Sequence, residues 1–148
     1  MMTILKTRTV LIVVFLFLSA CADRNNQINA QIEAQLHAKP LGPLNLALVG
    51  PSSWERVCIL GPYTTNEHAE KVLRFKWDAT GKTSIGGNDG INVLVFAKGH
   101  QVIAYTEYPR NKGDFSKTPY CLNRNQANLI QSRDGDWTPI PSSVPFKP

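Results

Sequence analysis

The sequence predicts a small α+β domain, an antiparallel sheet with one or two short helices and a single disulfide. Three observations carry this expectation. From Trp54 onward, short apolar runs rich in β-branched and aromatic residues alternate with Gly, Pro, Asn and Asp turn signals. One stretch, "TTNEHAEKVL", breaks that texture with apolar residues at helical spacing. Of the three cysteines in the chain, two, Cys58 and Cys121, lie in this region.

Taken in order, "RVCILGPY" reads as a strand ended by Gly61 and Pro62. In the next stretch Thr65 is an N-cap candidate, Glu67 is an acid in the first turn, and Ala69, Val72 and Leu73 form one face, which predicts a short helix. "RFKWDA" alternates polar with aromatic residues and predicts a half-buried strand. "TGKTSIGGNDG", with four glycines in eleven residues, predicts a loop. "INVLVFA" and "QVIAYTEY" flank a turn at Lys98, Gly99 and His100 and predict an antiparallel hairpin. "PRNKGDFSKTP" reads as a second loop. "YCLNRNQANLIQS" then suggests a helical turn around Asn123 to Ala127 and a strand over Asn128 to Ser132. "RDGD" is a hairpin-type turn, Trp137 begins a last short strand, and "PIPSSVPFKP" has four prolines in ten residues, as an extended tail would.

The first fifty residues differ in kind. Lys6 and Arg8 precede a nine-residue apolar run, Val10 to Leu18, which is too short to span a bilayer in helical form and is followed by the small residues Ser19 and Ala20. Residues 1–20 are expected to be an export signal. Residues 21–50, beginning "ADRNNQINAQIEAQLHAKPLGP" after Cys21, are rich in Asn, Gln and Ala and are expected to be a flexible tether. Within it Ile28, Ile32 and Leu36 recur every four residues, as in a short amphipathic helix over 29–38 that Pro40 would end. "LNLALVG" reads as a first strand or as an apolar part of the tether. The domain proper is expected at 51–140 and the Pro-rich tail at 141–148.

Leu18, Ser19, Ala20 and Cys21 resemble the lipobox of bacterial lipoproteins. The resemblance implies that Cys21 is acylated, palmitate among its chains, and becomes the new N-terminus. A secretory signal with a coincidental cysteine is the alternative. Each buried acyl methylene contributes about 0.8 kcal/mol, so a multiply acylated end holds firmly to a membrane. In that family an aspartate directly after the cysteine favours inner-membrane retention. Here the residue is Ala22, with Asp23 one place later. The resemblance thus implies a lipid anchor in the inner leaflet of the outer membrane, with the domain facing the periplasm.

Loss of Lys6 and Arg8 with the signal leaves 14 basic against 11 acidic residues, a net charge of +3. These charges are spread singly from Arg24 to Lys147, unlike the clustered footprint of a nucleic-acid binder, so no nucleic-acid partner is expected. With Cys21 lipidated, Cys58 and Cys121 form an even pair in an oxidising compartment and are expected to be disulfide-bonded. Closing that loop stabilises by about 4 kcal/mol in the chain-entropy account. Two buried free thiols are the alternative.

Catalytic patterns find no support. His37, His68 and His100 lie in the tether, on the expected helix and in a turn, with no metal-binding spacing. No G-x-S-x-G occurs, "GGNDG" lacks the Lys of a phosphate loop, and "RDGDW" lacks the remaining ligands of a calcium loop. No enzyme activity, metal or cofactor is expected. What stands out is a set of loop residues of the types that dominate interface energetics, Tyr108, Arg110, Lys112, Phe115 and Arg124, expected to bind a protein partner of acidic character. The bland alternative is that Tyr108 and Phe115 pack on the sheet edge while the cations are merely solvated.

The stretches "WERVCILGPY", "FKWD", "DGINVLVF", "PRNKGDF" and "CLNRNQA" are similar in pattern to small Gram-negative envelope lipoproteins associated with immunity to type VI secretion toxins. This resemblance spans about seventy residues and carries no defined binding motif. It implies a periplasmic protein that neutralises a toxin or hydrolase by protein-protein contact. A structural or accessory lipoprotein of an envelope assembly is the alternative.

Overall fold

The computed structural model describes residues 22–118 and 120–141; the expectations for the signal and Cys21, and for residues 142–148 of the tail, lie outside them. The element order is α1 (Ala22–Ala38), β1 (Leu44–Asn45), β2 (Arg56–Leu60), α2 (Asn66–Leu73), α3 (Ala79–Lys82), β3 (Ile91–Lys98), β4 (Gln101–Pro109), β5 (Cys121–Asn123), β6 (Asn128–Gln131) and β7 (Trp137–Pro139). Short 3-10 turns at Leu46–Leu48, Ile85–Gly87, Arg110–Lys112 and Arg124–Gln126 connect them. The fold class is α+β, as the sequence predicts.

The central layer is a four-stranded antiparallel sheet in the order β4-β3-β2-β5. Both of its faces are covered, which is why "INVLVFA" is a nearly unbroken apolar run rather than an alternating one: every residue of Ile91 to Ala97 is buried. Val57, Ile59, Leu94, Phe96, Ala104 and Tyr108 face one core, completed by α1 and by a second sheet of order β1-β6-β7. Cys58, Leu60, Val93 and Val95 face a smaller core closed by Ala69 and Leu73 of α2, Ala79 of α3 and Ile85.

Local chemistry sets the helix ends. Thr65 Oγ1 accepts from His68 N–H at 3.2 Å and opens α2, and Lys71 pairs with Glu67 one turn away at 2.7 Å. Arg74 ends α2 in the left-handed region at φ 67°. Asp78 opens α3 by accepting from Gly81 N–H at 3.0 Å.

Cys58 and Cys121 are bonded, as expected. They stand directly opposite each other on β2 and β5. Ile59 N–H donates to Tyr120 O at 2.7 Å, so the cysteine pair is a non-hydrogen-bonded one, where facing side chains come closest.

Three expectations are corrected. The segment expected as a tether is part of the fold: Ile28 and Ile32 of α1 are buried in the main core with Leu36 packed against it, and Leu44, Leu46 and Val49 are fully buried. Burying each isoleucine contributes about 1.5–3 kcal/mol, which a free tether would forgo. "RFKWDA" forms no strand, because the turn at Arg74 and the cap at Asp78 close in on the residues between them. "TGKTSIGGNDG" is not all loop; it holds the end of α3 and a 3-10 turn, anchored by Ile85 in the smaller core.

Candidate functional site

The five residues expected to meet a partner are occupied within the fold. Tyr108 and Phe115 are fully buried, their rings edge to face at 5.5 Å, and Phe115 stacks on Trp137 at 6.0 Å. The Tyr108 hydroxyl donates to Glu33 Oε1 of α1 at 3.3 Å; burial first, and then the Glu33 charge, push that phenol well above its usual range. Lys112 pairs with the same Glu33 at 3.2 Å. Arg110 donates through Nε and Nη2 to Asp114 Oδ2 and through Nη1 to Asp89 O.

Asp114 is a hub. Its other oxygen accepts from Asn92 Nδ2 at 3.1 Å and from the Ser116 N–H and hydroxyl. Burial would raise this carboxyl, but the bonds from Arg110, Ser116 and Asn92 outweigh it and hold it far below the usual carboxylate range. Arg124 is a clamp: Nη1 donates to Ser52 O and Trp54 O, Nη2 to Ala47 O, and the guanidinium lies 4.7 Å from the Trp54 ring centre. Tyr108 and Lys112 meet α1 through Glu33, and Arg124 fastens the 46–54 segment. Burial removes Tyr108 and Phe115 from the surface, whereas Lys112 stays exposed and Arg110 and Arg124 are half-buried.

A different set converges beside β4. Phe75, Lys76 and Trp77 from the α2–α3 connection, Lys82 at the end of α3, and His100 and Tyr105 of the hairpin line an open groove of about 410 Å³. Trp77 and Tyr105 are half-buried and meet edge to face at 5.2 Å. Phe75 lies 6.1 Å from His100 on one side and 5.8 Å from the Arg56 guanidinium on the other. Arg56 is held in turn by donating to Leu73 O at 2.8 Å. Lys76 and Lys82 are exposed and form no ion pair with the described residues. The nearby carboxylate of Asp78 is already engaged by Asn66 Nδ2 at 2.9 Å and by Gly81 N–H. The groove therefore offers aromatic contact area beside two lysines outside ion-pair distance, with Asp78 acting on Lys82 at longer range and Glu67 and Glu70 sharing the far side of Lys76.

No family model, curated protein or solved structure matches this chain. Among the described residues no group of three or more His, Cys, Asp or Glu side chains is placed to hold a metal ion. No helix among them is long and apolar enough to cross a membrane.

The groove is only half legible in the sequence. The alternation in "FKW" marked two aromatics on one face, and Phe75 and Trp77 do both line the groove. No local signal joined them to Lys82 or Tyr105, which arrive from other elements.

Proposed function

We propose that this protein is a periplasmic lipoprotein, anchored through acylated Cys21 to the inner leaflet of the outer membrane, that neutralises a toxin or hydrolase by protein-protein contact and has no catalytic activity of its own. The observation that carries this reading is the groove. A half-buried Trp and Tyr in contact, flanked by two lysines in no contact ion pair with a described residue, is a surface suited to a desolvated aromatic anchor and to steering by an acidic partner. The disulfide-closed domain suits an exported protein. The lipobox resemblance supplies the anchor.

The test is competition between neighbouring cells of the source strain. A strain lacking the protein is expected to be killed by its wild-type sibling, to be rescued by the wild-type gene, and to be rescued poorly by Trp77→Ala/Lys82→Glu. Equal survival of the deletion strain, combined with an envelope defect in pure culture, overturns neutralisation in favour of an accessory envelope role. For the anchor, Cys21→Ser is expected to move the protein from membranes to the soluble periplasm with its disulfide intact; a variant that stays in the membrane overturns the lipidation.

A further inference from the structure

Strand β4 is an edge strand, and its two ends are closed in different ways. At one end Asn29 Nδ2 of α1 donates to Glu107 O at 3.0 Å, and Pro109 has no N–H to offer. At the other the register slips opposite Phe96 and Ala97, a bulge of the kind that discourages pairing. Between them the edge is open. Arg110 N–H donates to Gly90 O, so Ile91 and Pro109 form a non-hydrogen-bonded pair. By alternation so do Val93 with Glu107 and Val95 with Tyr105. The N–H and C=O of Tyr105 thus point away from β3, and no described residue pairs with them.

Cavities lie on both sides of this open stretch. On the α1 side, Gln27, Ile28, Gln31, Gly50 and Pro51 enclose about 150 Å³ beside Ala104. On the other lies the groove of Trp77, Lys82 and Tyr105, which also reaches Ala104. An added strand would send successive side chains to opposite faces, alternately toward these two spaces. That is the arrangement by which sheet edges capture extended peptides, with backbone bonds for affinity and flanking pockets for selectivity.

We propose that the partner binds by adding an extended acidic segment to the β4 edge at Tyr105, its apolar side chains entering the cavity beside Ile28 and its carboxylates lying along Lys76 and Lys82. Charge complementarity selects this occupant. A second copy of the chain would bring the lysines of two grooves together, whereas an acidic strand can pair directly with Lys76 and Lys82, neither of which is in a contact ion pair with a described residue. The inference rests on the groove being the binding surface and adds the mode of binding.

The probe is a synthetic array of ten-residue peptides with Asp or Glu at alternate positions and apolar residues between, with Lys-containing counterparts as controls, applied to ¹⁵N-labelled Cys21→Ser protein purified from the periplasm. Without peptide, the Tyr105 amide is expected to exchange at least about tenfold faster than those of Ala104 and Thr106, which face β3. Bound acidic peptides are expected to slow it by at least about tenfold. N-methylation of one alternate set of peptide amides is expected to abolish binding and of the other set to be tolerated, while Lys82→Glu weakens binding. Acidic peptides that bind no better than the lysine controls overturn the proposal. Binding that leaves Tyr105 exchange unchanged, or that is equally sensitive to both methylation sets, overturns strand addition while leaving the groove and the neutralising role standing. Protection of Tyr105 through a dimer of the protein alone, seen by light scattering, also overturns it.

Discussion

Gln35 makes to Asn45 both hydrogen bonds that a neighbouring strand would make: its Nε2 donates to Asn45 O at 3.0 Å and its Oε1 accepts from Asn45 N–H at 2.9 Å. Two further amides of α1 serve the same purpose. Gln31 Oε1 accepts from Gly50 N–H at 2.8 Å, and Asn29 bridges Glu107 O and the Thr106 hydroxyl. The Asn/Gln richness that reads as a tether thus satisfies backbone groups along α1's contacts, which would otherwise be costly to bury. Gln35→Leu keeps much of the volume and leaves both Asn45 groups unpaired. It is expected to cost about 1–3 kcal/mol in urea unfolding with an unchanged m-value.

Ile32 tests whether α1 belongs to the domain. It is fully buried in the main core, so Ile32→Ala is expected to lower stability by about 2–5 kcal/mol. A substitution in a free tether would leave the denaturation midpoint where it was.

Arg124 acts through the planar fork of its guanidinium, which reaches carbonyls of Ala47, Ser52 and Trp54 while covering the Trp54 ring. A lysine cannot reproduce that geometry. Arg124→Lys is therefore expected to lose most of what Arg124→Ala loses, about 2 kcal/mol by chemical denaturation. Full recovery with lysine would mean that charge alone matters at this position.

Asp114 gives the fold an acid-sensitive element. Its carboxyl is depressed in the folded state, so its contribution is present above the unfolded value of about 4 and is lost as pH falls below it. Asp114→Asn is expected to be less stable at neutral pH, by about 1–2 kcal/mol, with the gap from the wild type narrowing as the pH drops toward 2. Thermal unfolding across pH 2–7 reads this directly. A gap that stays constant with pH would show that the residue acts only through shape.

The disulfide closes a separation of 63 residues and ties the short strand β5 to β2. Cys58→Ala/Cys121→Ala is expected to lose about 4 kcal/mol at neutral pH, measured as a drop in the denaturation midpoint. Alkylation of the wild type before reduction is expected to add no label at Cys58 or Cys121.

Gly113 shows where local reading stops. Its φ of 153° and the Trp137 indole lying where a Cβ would stand make any side chain there a clash. The sequence offered only a glycine in a loop, because Trp137 is brought there from 24 residues away by the bridge between Asp114 and Asp136, where Trp137 N–H donates to Asp114 O, and by stacking on Phe115. The same limit explains why Tyr108 and Phe115 read as loop-surface residues yet are buried. Tyr108 and Phe115 have the composition of an interface, and nothing local distinguishes an aromatic that faces solvent from one that faces Trp137.

Local signals suffice for strand β2 before its Gly-Pro stop, α2 from its Thr cap and apolar face, the β3–β4 hairpin around Gly99, the turn into β6, and the pairing of Cys58 with Cys121. The tertiary structure decided what depends on groups distant in the chain. It turned the amides of α1 into partners for open backbone, made a clamp of Arg124, and gathered Phe75, Trp77, Lys82 and Tyr105 into one groove. The physical reason is that hydrogen-bond satisfaction and burial are settled between elements, whereas caps, turns and periodicity are settled within them.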